Sequence, residues 1–228
     1  MKKILVVVAH PDDEILGCGG TLLKSAAKGA KIRTIIVSEG VTSRLIKNLN
    51  KKKQEISQRM LASKKAHSFI KGSKIIYLNL PDQKLDTVSM LSVTKKIELE
   101  VNKFNPDTVY THHHGDLNLD HRVVNNATLT ACRPTPKSNI KRIFTFEIPS
   151  STDWQAQGAN LYFIPNYFND ISKYLTKKIK VLNKYKSEMR PWPHSRSFEN
   201  IKYLAKTRGA SIGCKAAEAF NLVRSIEK

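Results

Sequence analysis

Cysteine pairs, long apolar stretches and acidic residues are all scarce in this chain. The three cysteines, Cys18, Cys132 and Cys214, are odd in number, far apart and not arranged as CxxC. That excludes a disulfide scaffold and a thiolate zinc site, and each thiol reads as a small buried hydrophobe. The longest apolar run, Ile4–Ala9, falls far short of the ~20 residues that cross a bilayer. Met1-Lys2-Lys3 runs straight into it, and Asp12, Asp13 and Glu14 follow, a pattern unlike a secretory leader. The start therefore reads as mature, and the protein is expected to be cytoplasmic without a membrane span.

Acidic groups number 19 against 39 lysines and arginines, which leaves a formal charge of +20. Such an excess suits nucleic acid, an anionic membrane or an anionic small substrate. Most of the cations, however, are lysines spread over helix-like segments, such as Lys51-Lys52-Lys53 and Lys177-Lys178. They read as a solvated surface, and no nucleic-acid recognition motif accompanies them. Repeats and low-complexity linkers are also lacking. Gly17, Gly19 and Gly20 miss the GxGxxG spacing of a dinucleotide loop, and read instead as a close helix–sheet contact.

What is present is an alternation. Strand-like segments at 4–9, 32–38, 74–80, 108–111 and 142–148 are separated by helical patterns at 15–28, 45–70, 88–104 and 122–132. The order predicts an α/β fold, a Rossmann-like three-layer sandwich with a mostly parallel sheet. Two further helices are expected at 171–185 and 198–207. The whole chain reads as one domain, with residues 1–150 the Rossmann-like core and 151–228 C-terminal helical and flap elements. Within the proline-rich stretch Lys186–Arg196, Met189 and Trp192 read as buried anchors. In such a sheet chemistry gathers in loops at the carboxyl ends of the strands.

Two of those loops carry unusual residues. The first strand ends in Ala9-His10-Pro11-Asp12-Asp13-Glu14, a histidine and three carboxylates in five positions. Unpartnered burial of that charge is costly, and a divalent metal relieves it. His10 and Asp13, three apart in a turn that Pro11 stiffens, can converge on one ion. The competing reading is that Asp12 or Asp13 merely caps the next helix. The fourth strand leads into His112-His113-His114-Gly115-Asp116-Leu117-Asn118-Leu119-Asp120-His121. One histidine and one carboxylate from the first loop, with one histidine from the second, make a three-ligand set with an open fourth position, as catalytic zinc requires. Iron or cobalt would accept the same donors.

The AHPDDE string after strand one and Asp116–Arg122 after strand four make the chain resemble the PIG-L/LmbE-like family of metal-dependent N-deacetylases. Arg208-Gly209 and Ala217-Glu218-Ala219-Phe220 are a fainter echo. The resemblance implies one Zn2+ per chain on His10, Asp13 and His121. It implies a metal-bound water as nucleophile, Asp12 as general base and an N-acetylated sugar conjugate as substrate. Where many members have a histidine three residues before the last ligand, this chain has Asn118, which donates a hydrogen bond but carries no charge. A histidine among His112–His114, or His194, is the alternative source of that charge. Asp120 is expected to orient a histidine. Glu39, Arg44, Asp82, His114, Trp154 and His194 are the candidate substrate contacts. Ordinary turn chemistry competes for Glu39, Arg44 and Asp82, and core packing for Trp154. The positive charge favours a substrate bearing phosphate, and a homo-oligomer stays open. A catalytically inactive nucleotide-sugar or nucleic-acid binding module is the competing function.

Overall fold

Strand β1, Lys3–Val8, is buried on both faces, and its alternation divides the molecule. Ile4, Val6 and Val8 join one apolar cluster; Leu5, Val7 and Ala9 join another across the sheet. The computed structural model of the protein describes residues 2–41, 43, 48–156, 158 and 161–227. On the first face lie α1 (Asp13–Ala27), α2 (Leu49–His67) and α5 (Leu175–Leu182). On the second lie α3 (Met90–Phe104) and α4 (Leu119–Ala131), with Val93, Ile97, Val101 and Val124 packed inward. The remaining helix is α6, Phe198–Ala210.

The sheet holds β2 (Lys31–Ser38), β3 (Ser73–Leu80), β4 (Thr108–His112), β5 (Arg142–Phe146), β6 (Tyr167–Asp170) and β7 (Ala217–Ser225) beside β1. Its order is β3-β2-β1-β4-β5-β7-β6. The first five strands pair in parallel, while β7 runs antiparallel to both β5 and β6. The three-layer α/β architecture expected from the alternation is therefore present. The chain steps from β1 out to β2 and β3, then returns to place β4 on the other side of β1. The crevice between the carboxyl ends of β1 and β4 is the position where such sheets bind ligands.

Two expectations need correction. Helix α2 starts at Leu49, later than the lysine-rich pattern suggested, because the Asn48 side chain accepts from the amides of Asn50 and Lys51 and caps it there. The tail, expected as helix and flap, also supplies β6 and β7. Four residues are too few to show a period, and β7 is fully buried only over Ala217–Phe220. Cys18 and Cys132 are buried and Cys214 partly so; all three are free thiols. No helix among the described residues is long and apolar enough to cross a membrane.

Helix α1 is broken at Cys18, whose φ of −140° is not helical. Gly17 lies against the Phe146 ring, which a Cβ would overlap, and a Cβ at Gly20 would stand 2.8 Å from Ile171. The break orphans backbone groups that two buried side chains satisfy. Glu218 accepts from the amides of Gly20 and Thr21, both at 2.7 Å. Lys178 donates to the Leu16 carbonyl at 2.8 Å and to Glu218 at 2.7 Å. Glu218→Ala would leave a buried ammonium and two buried amides without their acceptor. The expected loss is about 3–5 kcal/mol of unfolding free energy, read from urea denaturation. A loss below ~1 kcal/mol would show that the pair does not hold the broken helix.

Candidate metal centre and active site

The chain must turn sharply between β1 and α1, and Asp12 takes the strain with a φ of 124°. Such a conformation persists only when its surroundings over-determine it. Here the Asp12 amide donates to Glu14 Oε2 at 3.1 Å, and its carbonyl accepts from Ile15 and Leu16. Glu14, completely buried, accepts in turn from the Tyr185 hydroxyl at 2.6 Å, and its Oε1 lies 3.3 Å from His67 Nε2. The capping alternative fails: the Asp12 side chain makes no bond to the helix end, and Asp13 instead accepts from the His10 amide at 2.9 Å.

The strained turn aims three donor atoms at one another. His10 Nδ1 lies 3.3 Å from Asp13 Oδ2 and 3.3 Å from His121 Nε2; His121 Nε2 lies 3.4 Å from Asp13 Oδ2. Ligands at zinc's bond lengths in a tetrahedron stand about 3.3–3.4 Å apart, so this triangle has the edge length of a zinc site. The far nitrogens are also occupied as metal-bound imidazoles need. His10 Nε2 lies 3.2 Å from Asp120 Oδ2 and 3.1 Å from Asp82 Oδ1. His121 Nδ1 lies 3.2 Å from Asp116 Oδ2. His10, Asp82 and Asp120 also form a second set of converging donors. Because a histidine gives a metal one nitrogen and keeps its proton on the other, that set is better read as the anchor of His10.

Electrostatics agree with a cation there. Asp12, Asp13, Asp82, Asp116 and Asp120 are all buried around the two imidazoles. Burial opposes charge on His121, yet Asp13 and Asp116 overrule it and lift its pKa to about 9. His10 is raised likewise, with Asp120, Asp13 and Asp82 outweighing burial. Burial pushes Asp82 up, but His10 and Ser43 hold it at about 2. The residues present thus fit a divalent ion by donor set, spacing and charge.

Asp12 points the other way, into an open cleft of about 490 Å3 that His10, Asp82, Asn118 and His121 also line. Its Oδ2 accepts from Arg196 Nη1 at 3.1 Å, and Oδ1 lies 3.6 Å from Arg59. Arg59 is itself fixed by Glu188 at 2.7 Å and by the Pro11 carbonyl at 3.0 Å. Burial lifts the Asp12 carboxyl to about 7 against the pull of Arg196 and Arg59, a value suited to proton transfer near neutral pH.

Asn118 caps α4, its Oδ1 accepting from the Asp120 amide at 2.9 Å, so what it offers the cleft is its NH2 group. Among the histidines of that loop, His112 accepts from the Ala9 amide through Nε2, and burial with the neighbouring His121 drives its pKa down. It therefore stands neutral. His113 is buried with its Nε2 3.1 Å from the Leu161 carbonyl, and His114 is exposed beside it. Glu39 is half-buried after β2, where its neighbour Gly40 lines the cleft. Arg44 lies outside the described residues. Trp154, 52% exposed, is not core, and it meets His194 edge-on at 5.2 Å. Trp192, expected as a buried anchor, is 55% exposed and meets the Tyr203 ring in a T-shaped contact at 5.5 Å; Met189 is buried as expected.

Asp116, Arg59, Glu188 and Arg196 gained no role from the sequence. Asp116 accepts from Thr152 Oγ1 at 2.7 Å, from the Asn118 amide at 2.9 Å and from the Ser151 hydroxyl. That grip lets it orient His121. Asp116→Ala is expected to weaken zinc binding about 10- to 100-fold, measured by competition with a chromophoric chelator. Unchanged affinity would remove Asp116 from that role.

Comparison with known proteins matches residues 5–132 to the family model described as PIG-L, GlcNAc-PI de-N-acetylase. The chain belongs to the PIG-L family. A deacetylase of Escherichia coli K12, the uncharacterized YaiS, is 32% identical over 193 residues, covering 82% of this chain and 91% of that protein. The diacetylchitobiose deacetylase of Thermococcus kodakarensis is 26% identical over 197 residues, covering 82% and 70%. Among solved structures, the N,N'-diacetylchitobiose deacetylase of Pyrococcus horikoshii superposes with a TM-score of 0.78 at 21% identity, covering 98% of this chain and 84% of that one. A hydratase from Pseudomonas putida, GalB, superposes at 0.79 with 18% identity, covering 100% and 99%. The PIG-L fold alone therefore does not specify a reaction. Membership of the PIG-L family rests on the sequence match, and the chemistry rests on the side chains of the cleft.

Proposed function

We propose that the protein is a zinc-dependent hydrolase that removes the acetyl group from an N-acetylated amino sugar conjugate. One observation carries the reading: His10 Nδ1, His121 Nε2 and Asp13 Oδ2 converge at zinc spacing while a separate carboxylate, Asp12, faces the same cleft. A zinc ion held by those three atoms supplies Lewis acidity, which acidifies water and polarises an amide carbonyl. Asp12 accepts the proton of the attacking water and hands it to the sugar nitrogen as the amine leaves. Arg196 and Arg59 keep the Asp12 carboxylate aimed at the cleft, and the Asn118 NH2 group donates to the developing oxyanion. Asp82 and Asp120 behind His10, and Asp116 behind His121, hold the ligands in place.

The deacetylase relatives support the amide bond as target, and the diacetylchitobiose enzyme supports an amino sugar as its carrier. The charge of +20 favours a conjugate that bears phosphate. Free thiols at all three cysteines suit a reducing, cytoplasmic setting. A binding module without catalysis would leave the converging donors and the strained Asp12 turn without a purpose.

The test is acetate release from a panel of N-acetylglucosamine conjugates, with metal analysis of the same preparation. About one zinc per chain is expected, with activity lost on chelation and recovered on adding zinc. Full activity in metal-free protein, or no acetate from any N-acetyl sugar, would overturn the proposal.

A further inference from the structure

The net charge of +20 is not spread evenly over the fold. Residues 21–37, 49–80 and 171–187 hold the second half of α1, all of α2 and all of α5. They contain sixteen lysines and a single acid, the half-buried Glu55. The helices of the opposite layer are nearly neutral. Helix α3 has three lysines and two glutamates, with Lys95 paired to Glu98 at 2.8 Å and Lys103 to Glu100 at 3.0 Å. Helix α4 has Arg122 and Asp120. A cluster of like charges without exposed counter-charges raises the local potential and draws anions to that side of the molecule.

The cluster has a centre. Where α1 ends and β2 and β3 begin, an open hollow of about 850 Å3 is lined by the apolar Leu23, Ala26 and Phe69 and by Lys31, Lys71 and Lys177. Lys184 and Lys180 stand 5.4 and 6.0 Å from the centre of the Phe69 ring. All five lysines are exposed, and among the described residues no acid and no arginine lines the hollow. An apolar floor under a cationic rim fits a hydrocarbon body with an anionic head. Lysine stems lie along hydrocarbon while their ammonium groups reach the charged heads. Nucleic-acid recognition leans instead on the planar fork of arginine, which is missing here. The hollow and the catalytic cleft lie at opposite ends of the same strands. Lys31 opens β2 in the hollow, and Gly40, just past the end of β2, lines the cleft. The length of that strand separates them by about 25 Å.

We propose that this face docks on an anionic lipid bilayer, with the five lysines against the head-group phosphates and the Phe69 hollow against the acyl boundary. A lysine cluster of this size beside an apolar surface supports reversible peripheral attachment without any membrane-spanning segment. The cytoplasmic leaflet carries the anionic lipid such a face requires. Docking there leaves the cleft, at the far ends of the strands, open to water. The proposal stands apart from the deacetylase reading and does not depend on it.

The experiment is co-sedimentation of the full chain with vesicles of phosphatidylcholine and phosphatidylglycerol in equal amounts, against vesicles of phosphatidylcholine alone. The chain is expected to pellet with the mixed vesicles at low salt, to stay in solution with the neutral ones, and to be released as salt screens the charges. A variant carrying Lys31→Gln, Lys71→Gln, Lys177→Gln, Lys180→Gln and Lys184→Gln should bind the mixed vesicles at least about tenfold more weakly. A second variant carrying Lys95→Gln, Lys96→Gln, Lys103→Gln, Arg133→Gln and Lys137→Gln removes the same charge away from the hollow and should bind nearly as the parent does. Phe69→Ala keeps every charge and should weaken binding as well. No pelleting with mixed vesicles, an equal loss in the two five-site variants, or full binding by Phe69→Ala overturns the proposal. Tighter binding of a DNA duplex than of the mixed vesicles, lost in the first variant, assigns the face to nucleic acid and overturns it too. None of the substituted residues lines the cleft, so acetate release from a soluble substrate should be unchanged throughout. A parent protein that pellets but releases no acetate overturns the hydrolase reading and leaves the docking face standing. If the first variant fails to fold, the two vesicle types and Phe69→Ala decide.

Discussion

Asp12→Asn is expected to keep one zinc per chain and to lower kcat for acetate release about 100- to 10,000-fold, the usual contribution of a positioned proton-transfer group. The substitution is nearly isosteric and spares the three atoms of the metal triangle, none of which belongs to residue 12. Asparagine can still accept from Arg196, and the Asp12 amide bond to Glu14 is made by the backbone. What disappears is a carboxylate able to take a proton and return it to the leaving nitrogen. Metal analysis and steady-state kinetics on one preparation check both halves. A near-normal kcat would mean that another group serves as base; lost zinc would mean that Asp12 helps hold the ion.

His121→Ala should have an effect as large by a different route. It removes one of the three proposed ligands and also the partner of Asp116, whose carboxylate burial would otherwise push up and which His121 and Ser151 hold well below its usual range. The variant is expected to lose zinc under dialysis that leaves the parent loaded, and its acetate release should fall below detection. A metal ion bound by only His10 and Asp13 lacks the three protein ligands of a catalytic site. Retained stoichiometric zinc with retained turnover would move the centre elsewhere, with His10, Asp82 and Asp120 as the next candidate set.

The parts of this site that could be read from the sequence share a property: they are local. His10, Asp12 and Asp13 occupy one turn, and His121 follows Asp116–Asp120 where β4 passes into α4, so strand ends pointed to the two segments and the family resemblance singled out these residues within them. Asp120 was expected to orient a histidine without saying which, and the structure sets it beside His10. Arg59, Glu188 and Arg196 were invisible for the opposite reason. Arg59 reaches Asp12 from α2 and Arg196 from the segment before α6, across 47 and 184 positions of chain, with Glu188 from that same segment pairing Arg59, and a lone arginine among lysines carries no periodic or spacing signal. The strands behave likewise: a continuous apolar run betrayed β1, whereas β6 has four residues and β7 shows only four fully buried ones. Trp192 misled because large aromatics are usually covered, a tendency that says nothing about a residue on a cleft rim.

The late position of β7 between β5 and β6 has a consequence for how a newly synthesised chain matures. Strand β6 pairs with β7 and with no other described strand, so the outer edge stays unformed until Ala217–Phe220 have left the ribosome. Lys178, which steadies the broken helix, bonds to Glu218 of that same strand, and Tyr185 and Arg196, which steady the Asp12 turn, also come late in the chain. A nascent chain can therefore complete the β1–β4 crevice, with Arg59 and His67 of α2 already at its strained turn, well before Tyr185 and Arg196 reach that turn, and catalytic competence should appear only after those later segments have docked.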